Sequence, residues 1–210
     1  MTVKSFLSIV IASIVVFSPP AFAGKKELAL YKQGKGYYES KDYKKALPLL
    51  MEAAKMGHTK SQSVLGTMYR LGRGVEKDIV KARQWYSKAG EAGDVSSQFF
   101  LGAIYSNGLG VPADPIKAFD WYSKAANQGH SLAQLNLGLI YWKEKDYTNA
   151  LDWFLKSAEL GNDGAQFVIG EMYMYGMGVE KDLNEARRWY MIAAERGNAP
   201  AQARLKEMDK

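Results

Sequence analysis

The sequence predicts an all-α protein in which paired helices stack along one axis as a solenoid. The string that starts at His58 returns at Asp94, His130, Asn162 and Asn198, at intervals of 36, 36, 32 and 36 residues. A recurrence of about 20 to 50 residues is typical of stacked arrays, because one such unit cannot bury its own apolar face. Two further observations support the prediction: a helical periodicity inside each unit, and matched signals that end one helix and begin the next.

The periodicity defines the first helix of each unit, helix A. The repeat gives five units, residues 26–57, 58–93, 94–129, 130–161 and 162–197, and a closing helix, residues 198–210. Numbered from the first residue of a unit, positions 4, 5, 8, 11 and 12 fall on one face at a period of 3.6 residues, and they form the predicted packing face. Position 9 is always glycine, which costs about 1 kcal/mol relative to alanine inside a helix, so we expect a neighbouring helix to approach closely there. These glycines are Gly34, Gly66, Gly102, Gly138 and Gly170.

The loop after helix A carries stop and start signals in units 2, 3 and 5. A Gly-x-Gly-Val sequence allows a left-handed C-terminal cap, and the aspartate that follows can cap the N-terminus of the second helix, helix B. Units 1 and 4 are four residues shorter, and Lys-Asp-Tyr replaces this loop. The expected caps are Gly72, Gly108 and Gly176 for helix A, and Asp78, Asp114 and Asp182 for helix B.

The units resemble a known repeat family. The strings "LGTMYRLGRGVEKDIVKARQWYSKAGEAG", "LGAIYSNGLGVPADPIKAFDWYSKAANQG" and "IGEMYMYGMGVEKDLNEARRWYMIAAERG" are similar to Sel1-like repeats, and the two short units resemble the related tetratricopeptide repeats. The resemblance implies a right-handed superhelical solenoid of antiparallel helix pairs that scaffolds protein complexes. Exported bacterial members of the family include regulators of envelope signalling, parts of polysaccharide-secretion machinery and factors that meet host proteins.

The first 23 residues are typical of a bacterial secretory signal peptide. Lys4 precedes an apolar run from Phe6 to Phe17, and the segment ends with Ala-Phe-Ala at Ala23. The run is shorter than the roughly 20 residues that span a bilayer, so we expect cleavage, no integral membrane segment in the mature chain, and a periplasmic or secreted protein. Residues 24–210 then form the repeat domain. Loss of Lys4 lowers the formal net charge from +6 to +5, and the remaining Lys and Arg residues alternate with acids, which argues against nucleic acid as a partner.

The sequence offers no catalytic residue, metal site or cofactor site, and we expect a protein that is not an enzyme. The chain contains no Cys, which removes thiol catalysis and zinc-thiolate sites. It also sets the chain apart from the cysteine-rich branch of the family, whose members resemble β-lactam-hydrolysing proteins. His58 and His130 are the only histidines, and they lie two units apart at position 1, too far apart for one site. The Gly-x-Gly sequences end a helix and follow no strand, unlike dinucleotide-binding loops.

The face of helix A opposite its packing face, positions 3, 6, 10 and 13, is the candidate binding surface. In tetratricopeptide-like arrays it lines the concave side, and here it carries apolar residues where polar ones are expected. We predict that a partner protein or peptide binds in this groove, and that Arg70 orients a carboxylate of the ligand. The predicted apolar anchors are Phe99, Leu135, Leu139, Trp142, Phe167 and Met174.

Two questions stay open at this point. The position 6 residues Phe99, Leu135 and Phe167 could line the groove, or they could pack against the next unit as part of the core. The main hypothesis is an exported, non-enzymatic scaffold for envelope assembly, signalling regulation or host interaction. Recognition of glycan or peptidoglycan by exposed Tyr and Trp is the alternative, and a cell-wall hydrolase is a weaker one; the oligomeric state is left open.

Overall fold

The repeated units each form a pair of helices, as predicted for an all-α solenoid. The computed structural model describes residues 20–210, and within this range eleven helices follow one another with short connections. They are α1 (Pro20–Glu39), α2 (Tyr43–Lys55), α3 (Thr59–Leu71), α4 (Ile79–Glu91), α5 (Val95–Asn107), α6 (Pro115–Asn127), α7 (Ser131–Lys143), α8 (Tyr147–Glu159), α9 (Asp163–Tyr175), α10 (Leu183–Glu195) and α11 (Ala199–Met208).

Most of the predicted signal peptide, residues 1–23, lies outside the described residues. Only residues 20–23 belong to them, at the start of α1, so the signal peptide stays a prediction. Across the described range, 20–210, no helix is both long enough and apolar enough to cross a membrane.

The helices stack in sequence order. Odd-numbered helices are the A helices and even-numbered helices are the B helices; each A helix packs on its own B helix, and each B helix packs on the next A helix. In addition α3 contacts α5, and α5 contacts α7. Successive A helices therefore lie side by side. The faces formed by their positions 3, 6, 10 and 13 make up one side of the solenoid, which we call the inner surface.

The predicted caps of the long loops are present. The C-cap glycines of α3, α5 and α9 have left-handed φ values of 69°, 65° and 68°. Asp78, Asp114 and Asp182 each cap a B helix, with the side chain accepting hydrogen bonds from first-turn backbone N–H groups. In the short units Lys41 and Lys145 take the left-handed conformation, both with φ 63°, so a lysine makes the turn that glycine makes elsewhere.

Position 1 of units 2 to 5 and of the closing helix is also a helix cap, a role that was not predicted. Its side chain accepts a hydrogen bond from the backbone N–H three residues later, at the start of the A helix. The five residues are His58, Asp94, His130, Asn162 and Asn198.

The position 9 glycines lie under an aromatic ring of the B helix in units 2 to 5. A Cβ atom added to Gly102 would lie 2.5 Å from the ring of Tyr122, and the same distance separates such an atom on Gly138 from the ring of Phe154. No side chain can occupy that space without displacing the ring. The expected close approach of a neighbouring helix at position 9 is therefore confirmed, and in units 2 to 5 the contact is made by an aromatic ring of that helix.

A glutamine at position 5 joins each unit to the preceding one. Gln98 Nε2 donates to the carbonyl oxygen of Gly90 at 2.9 Å, and Gln134 Nε2 donates to that of Ala126 at 3.1 Å. These carbonyls lie in the last turn of a B helix, where each also accepts from the backbone N–H of the glycine three residues later, so the glutamine is a second donor. Equivalent bonds start from Gln62, Gln166 and Gln202.

A bidentate ion pair fixes the closing helix. Arg204 on α11 donates from Nε and Nη2 to the two carboxylate oxygens of Glu171 on α9, at 2.8 and 2.9 Å. The same carboxylate accepts from the hydroxyl of Tyr190. This contact and burial raise the pKa of Tyr190, with burial the larger cause, so the hydroxyl stays protonated as a donor. Charge-assisted fork contacts of this kind fix orientation as well as adding energy.

We predict that Gly102→Ala destabilises the solenoid. The added methyl group gains about 1 kcal/mol of helix propensity but overpacks against Tyr122, at a typical cost of about 1–3 kcal/mol. We expect a net loss of up to about 2 kcal/mol, measured as a lower midpoint in thermal unfolding followed by circular dichroism. Gly36→Ala in α1 is the matched control, because a Cβ there meets nothing within 4 Å, and it should raise the midpoint. Equal midpoints for the two variants would contradict the packing role of position 9.

Candidate functional site: the inner surface of the A helices

The aromatic ring over position 9 also reaches the inner surface. In unit 2 the hydroxyl of Tyr86 lies 3.0 Å from Thr67 Oγ1 and accepts from Arg70 Nε at 3.2 Å. Thr67 and Arg70 are positions 10 and 13 of helix A, both on the inner surface. Burial raises the pKa of Tyr86. The B helix therefore contributes a polar group to the inner surface wherever this ring is tyrosine.

Unit 4 lacks that polar group, and its inner surface is apolar. Phe154 replaces the tyrosine, and positions 10 and 13 are Leu139 and Trp142. Leu139 is 43 % exposed and Leu132, at position 3, is 44 % exposed. Trp142 is partly buried, with its ring edge-on to Tyr147 at 5.5 Å. Unit 4 thus forms an apolar window made of Leu132, Leu139 and Trp142.

The position 6 residues pack against other side chains of the array, and for Phe99 the contact is with the next unit, as in the second of the two alternatives. The ring of Phe99 stacks on the imidazole of His130, the cap of the next A helix, with centroids 4.5 Å apart. Leu135 packs against the cluster around α8 and α9, and Phe167 lies 5.8 Å from the ring of Tyr190. All three predicted anchors are partly buried. Their direct contact with a partner stays a prediction.

In unit 2 the contact between position 6 and the cap of the next A helix is made by polar groups. Ser63 at position 6 donates to Asp94 at 2.9 Å, and Lys60 Nζ lies 2.7 Å from the same carboxylate. Burial opposes ionisation of Asp94, but hydrogen bonds from Lys60 and from Ser97 outweigh it and lower the pKa of the carboxyl group. The inner surface is therefore polar and cationic at unit 2, with Arg70 further along α3.

Arg70 and Met174, the other predicted contact residues, lie at opposite ends of the surface. The guanidinium of Arg70 stands 4.5 Å over the ring of Phe100 and is partly buried, which holds it in place at the inner surface. Met174 is partly buried against the cluster of α10 and α11. Three of the seven predicted residues, Leu135, Leu139 and Trp142, share one unit, and the other four are spread over units 2, 3 and 5.

The histidines act as helix caps. Nδ1 of His58 accepts from the backbone N–H of Ser61 at 3.2 Å, and Nδ1 of His130 accepts from that of Ala133 at 3.3 Å. Burial lowers the pKa of both rings, so they stay neutral and keep this lone pair for the backbone. Among residues 20–210, no three His, Asp or Glu side chains stand close enough together to hold a metal ion.

The tryptophans of the B helices offer little free ring surface. In units 2, 3 and 4 a lysine three residues later lies over the indole ring, which is partly buried, and a flat ligand such as a sugar would have to displace it. The pairs are Trp85 with Lys88 at 4.7 Å, Trp121 with Lys124 at 4.2 Å, and Trp153 with Lys156 at 4.1 Å.

Within residues 20–210 the helix pairs pack on their neighbours along the chain, and unit 4 adds an apolar window to the inner surface. This is the architecture of a helical-repeat scaffold. Comparison with known families identifies the repeat: the Sel1 repeat matches residues 26–58, 59–94, 95–130, 131–162 and 164–198. The chain belongs to the Sel1 repeat family, whose fold serves generally as a scaffold for protein–protein interaction.

Solved structures are similar over most of the chain. A Sel1 repeat protein from Oxalobacter formigenes is 36 % identical, with a TM-score of 0.79, over 84 % of this chain and 74 % of that one. A protective antigen present in uropathogenic Escherichia coli strains, which displays an SLR fold, is 35 % identical, with a TM-score of 0.83; the match covers 89 % of this chain but 42 % of the antigen. An immunity protein from Pseudomonas aeruginosa, 24 % identical with a TM-score of 0.53 over 80 % of this chain and 68 % of that one, shares the fold alone. Among curated proteins, none matches the chain.

We predict that the two histidine caps make folding stability depend on pH. Their pKa values are lowered in the folded protein, so the unfolded chain takes up protons first, and stability falls as the pH drops below the unfolded value of about 6.5. Thermal midpoints between pH 7.5 and pH 5 should fall less in a His58→Asn, His130→Asn variant, because asparagine caps the equivalent helix in unit 5 without titrating. Parallel curves for variant and parent would show that the caps do not titrate in this range.

Proposed function

We propose that this protein is an exported, non-enzymatic scaffold that binds a partner protein through the inner surface of its A helices. The single observation that carries the proposal is the apolar window of unit 4. Leu132 and Leu139 are more than two fifths exposed, although an exposed helix face is normally polar. Exposed apolar groups that lie together on a repeat protein are typical of an interaction site.

The inner surface changes character along the array, which favours an extended partner over a single point of contact. Unit 2 presents Arg70 and Lys60, unit 3 presents the small residues Ala103 and Ser106, and unit 4 presents the window. A partner that lies along the stripe would place an apolar segment on unit 4 and a carboxylate near Arg70. The rigid position of Arg70 over Phe100 supports this orientation, because a held guanidinium loses less freedom on binding.

The proposed location is the periplasm or the outside of the cell, with a role in envelope assembly, signalling regulation or host interaction. It is supported by the signal-like sequence of residues 1–23. The absence of an enzyme function is proposed because the two histidines are committed to helix capping and the acidic residues are spread along helix surfaces.

The proposal is tested by photo-crosslinking in living cells from position 139. The matched control is position 152, because Asp152 is exposed on α8, the B helix of the same unit, and therefore lies away from the inner surface of the A helices. We expect a partner captured from position 139 and not from position 152, identified by mass spectrometry. Equal capture from both positions, or capture from neither, would contradict the inner surface as the binding site.

Substitution of the window should weaken binding without unfolding the protein. Leu132→Ser and Leu139→Ser remove apolar area that is already exposed, so we expect thermal midpoints within a few degrees of the parent and a loss of the captured partner of about tenfold or more. Phe99→Ser is the contrasting variant: the ring stacks on His130, and its loss should lower the thermal midpoint. Full retention of the partner by the double leucine variant would rule out the window.

A further inference from the structure

The junction between units 3 and 4 contains a cleft. At the preceding junction, between units 2 and 3, the same space is filled by side chains, and these show what kind of group the cleft can hold. Three positions meet where one unit follows another: position 13 of an A helix, the ring over position 9, and position 7 of the next A helix. Between units 2 and 3 they are Arg70, Tyr86 and Phe100. The ring of Phe100 stacks on that of Tyr86, with centroids 5.0 Å apart, and the guanidinium of Arg70 covers it at 4.5 Å. This junction is filled, and Tyr86 is fully buried.

Between units 3 and 4 two of the three residues are small. Ser106 stands where Arg70 stands in the preceding unit, and Asn136 stands where Phe100 stands. The third, Tyr122, is retained. The missing side-chain volume leaves an open cleft of about 250 Å³, lined by these residues together with Pro115, Ala118, Leu139, Ile140, Lys143 and Glu144. The remaining junctions carry a large residue at position 13 or at position 7, among them Trp142 and Arg204.

The lining suits an aromatic side chain. Leu139 and Ile140 give apolar lining for a ring, while Ser106, Asn136, Lys143 and Glu144 give polar and charged groups that can meet a hydroxyl or the backbone of the partner. A volume of about 250 Å³ is below the roughly 300–1,000 Å³ of pockets that enclose a whole small molecule. It matches one large side chain, and the fold itself places an aromatic ring at the equivalent point of the preceding junction.

We propose that this cleft is a specificity pocket that accepts one aromatic side chain of the partner polypeptide. The ring enters beside Tyr122 and packs on Leu139, as Phe100 packs beside Tyr86 one unit earlier. Leu139 belongs both to the cleft wall and to the apolar window of unit 4, so the pocket is continuous with the proposed binding surface. The inference rests on the proposed function for its partner, and on the comparison of the two junctions for its site.

The test uses small probes instead of the partner. N-acetyl-L-tyrosinamide and N-acetyl-L-phenylalaninamide are titrated into the isotope-labelled protein, with N-acetyl-L-leucinamide as the control, and backbone amide shifts are followed by NMR. We expect saturable shifts at Ser106, Asn136 and Leu139 with the aromatic probes, and at least about tenfold weaker ones with the leucine probe. No saturable shift at these residues, or equal shifts with all three probes, would overturn the proposal.

Two reciprocal variants locate the site. Ser106→Arg with Asn136→Phe rebuilds the filled junction, so the fold should be kept and aromatic binding should fall by about tenfold or more. Arg70→Ser with Phe100→Asn should open a second cleft and add shifts at units 2 and 3. Undiminished probe binding by the filled variant would overturn the pocket even if the reciprocal variant fails to fold. Probe binding at the cleft without partner capture from position 139 would uphold the pocket and count against the proposed function.

Discussion

The contact between the position 9 glycine and the aromatic ring of the B helix is the constraint on which the rest of the structure depends. It sets how close the two helices of a unit lie, because the ring occupies the space that any Cβ would need. It also aims the ring across helix A, so that its far edge reaches the inner surface. The residue at this point of the core, tyrosine in units 2, 3 and 5 or phenylalanine in unit 4, therefore decides whether the B helix adds a hydroxyl group to the inner surface of that unit.

Features that depend on local sequence could be predicted. The 3.6-residue period placed the packing face of helix A, and residues such as Leu101 and Ile169 are fully buried as expected. Gly72 and Asp78 end and begin helices where their backbone preferences indicate. Each of these depends on the few residues around it, and for that reason the architecture followed from the sequence.

Features that depend on the step between units could not be predicted. Whether Phe99 lines a groove or meets His130 depends on the rise and rotation from one unit to the next, which no local pattern fixes. The cleft near Ser106 has the same origin, since it requires position 13 of one unit to meet position 7 of the next. Once the structure shows that these two positions meet, comparing them along the array identifies the junction, because Ser106 and Asn136 replace the large residues Arg70 and Phe100. The cap role of position 1, in contrast, was predictable from Asp94, Asn162 and Asn198, which are usual N-cap residues; only the two histidines at this position are not.

The position 5 glutamines give the array a direction. The bond from Gln98 to Gly90 spans eight residues and runs backward across the boundary between units, so the last turn of each B helix is completed by the unit that follows it. On the ribosome, the end of a B helix therefore gains its final hydrogen bond only after the next A helix has emerged. Shortening the array from its C-terminal side therefore removes the glutamine donor from the last B helix and leaves its carbonyl with the glycine N–H alone, whereas shortening from the other side does not.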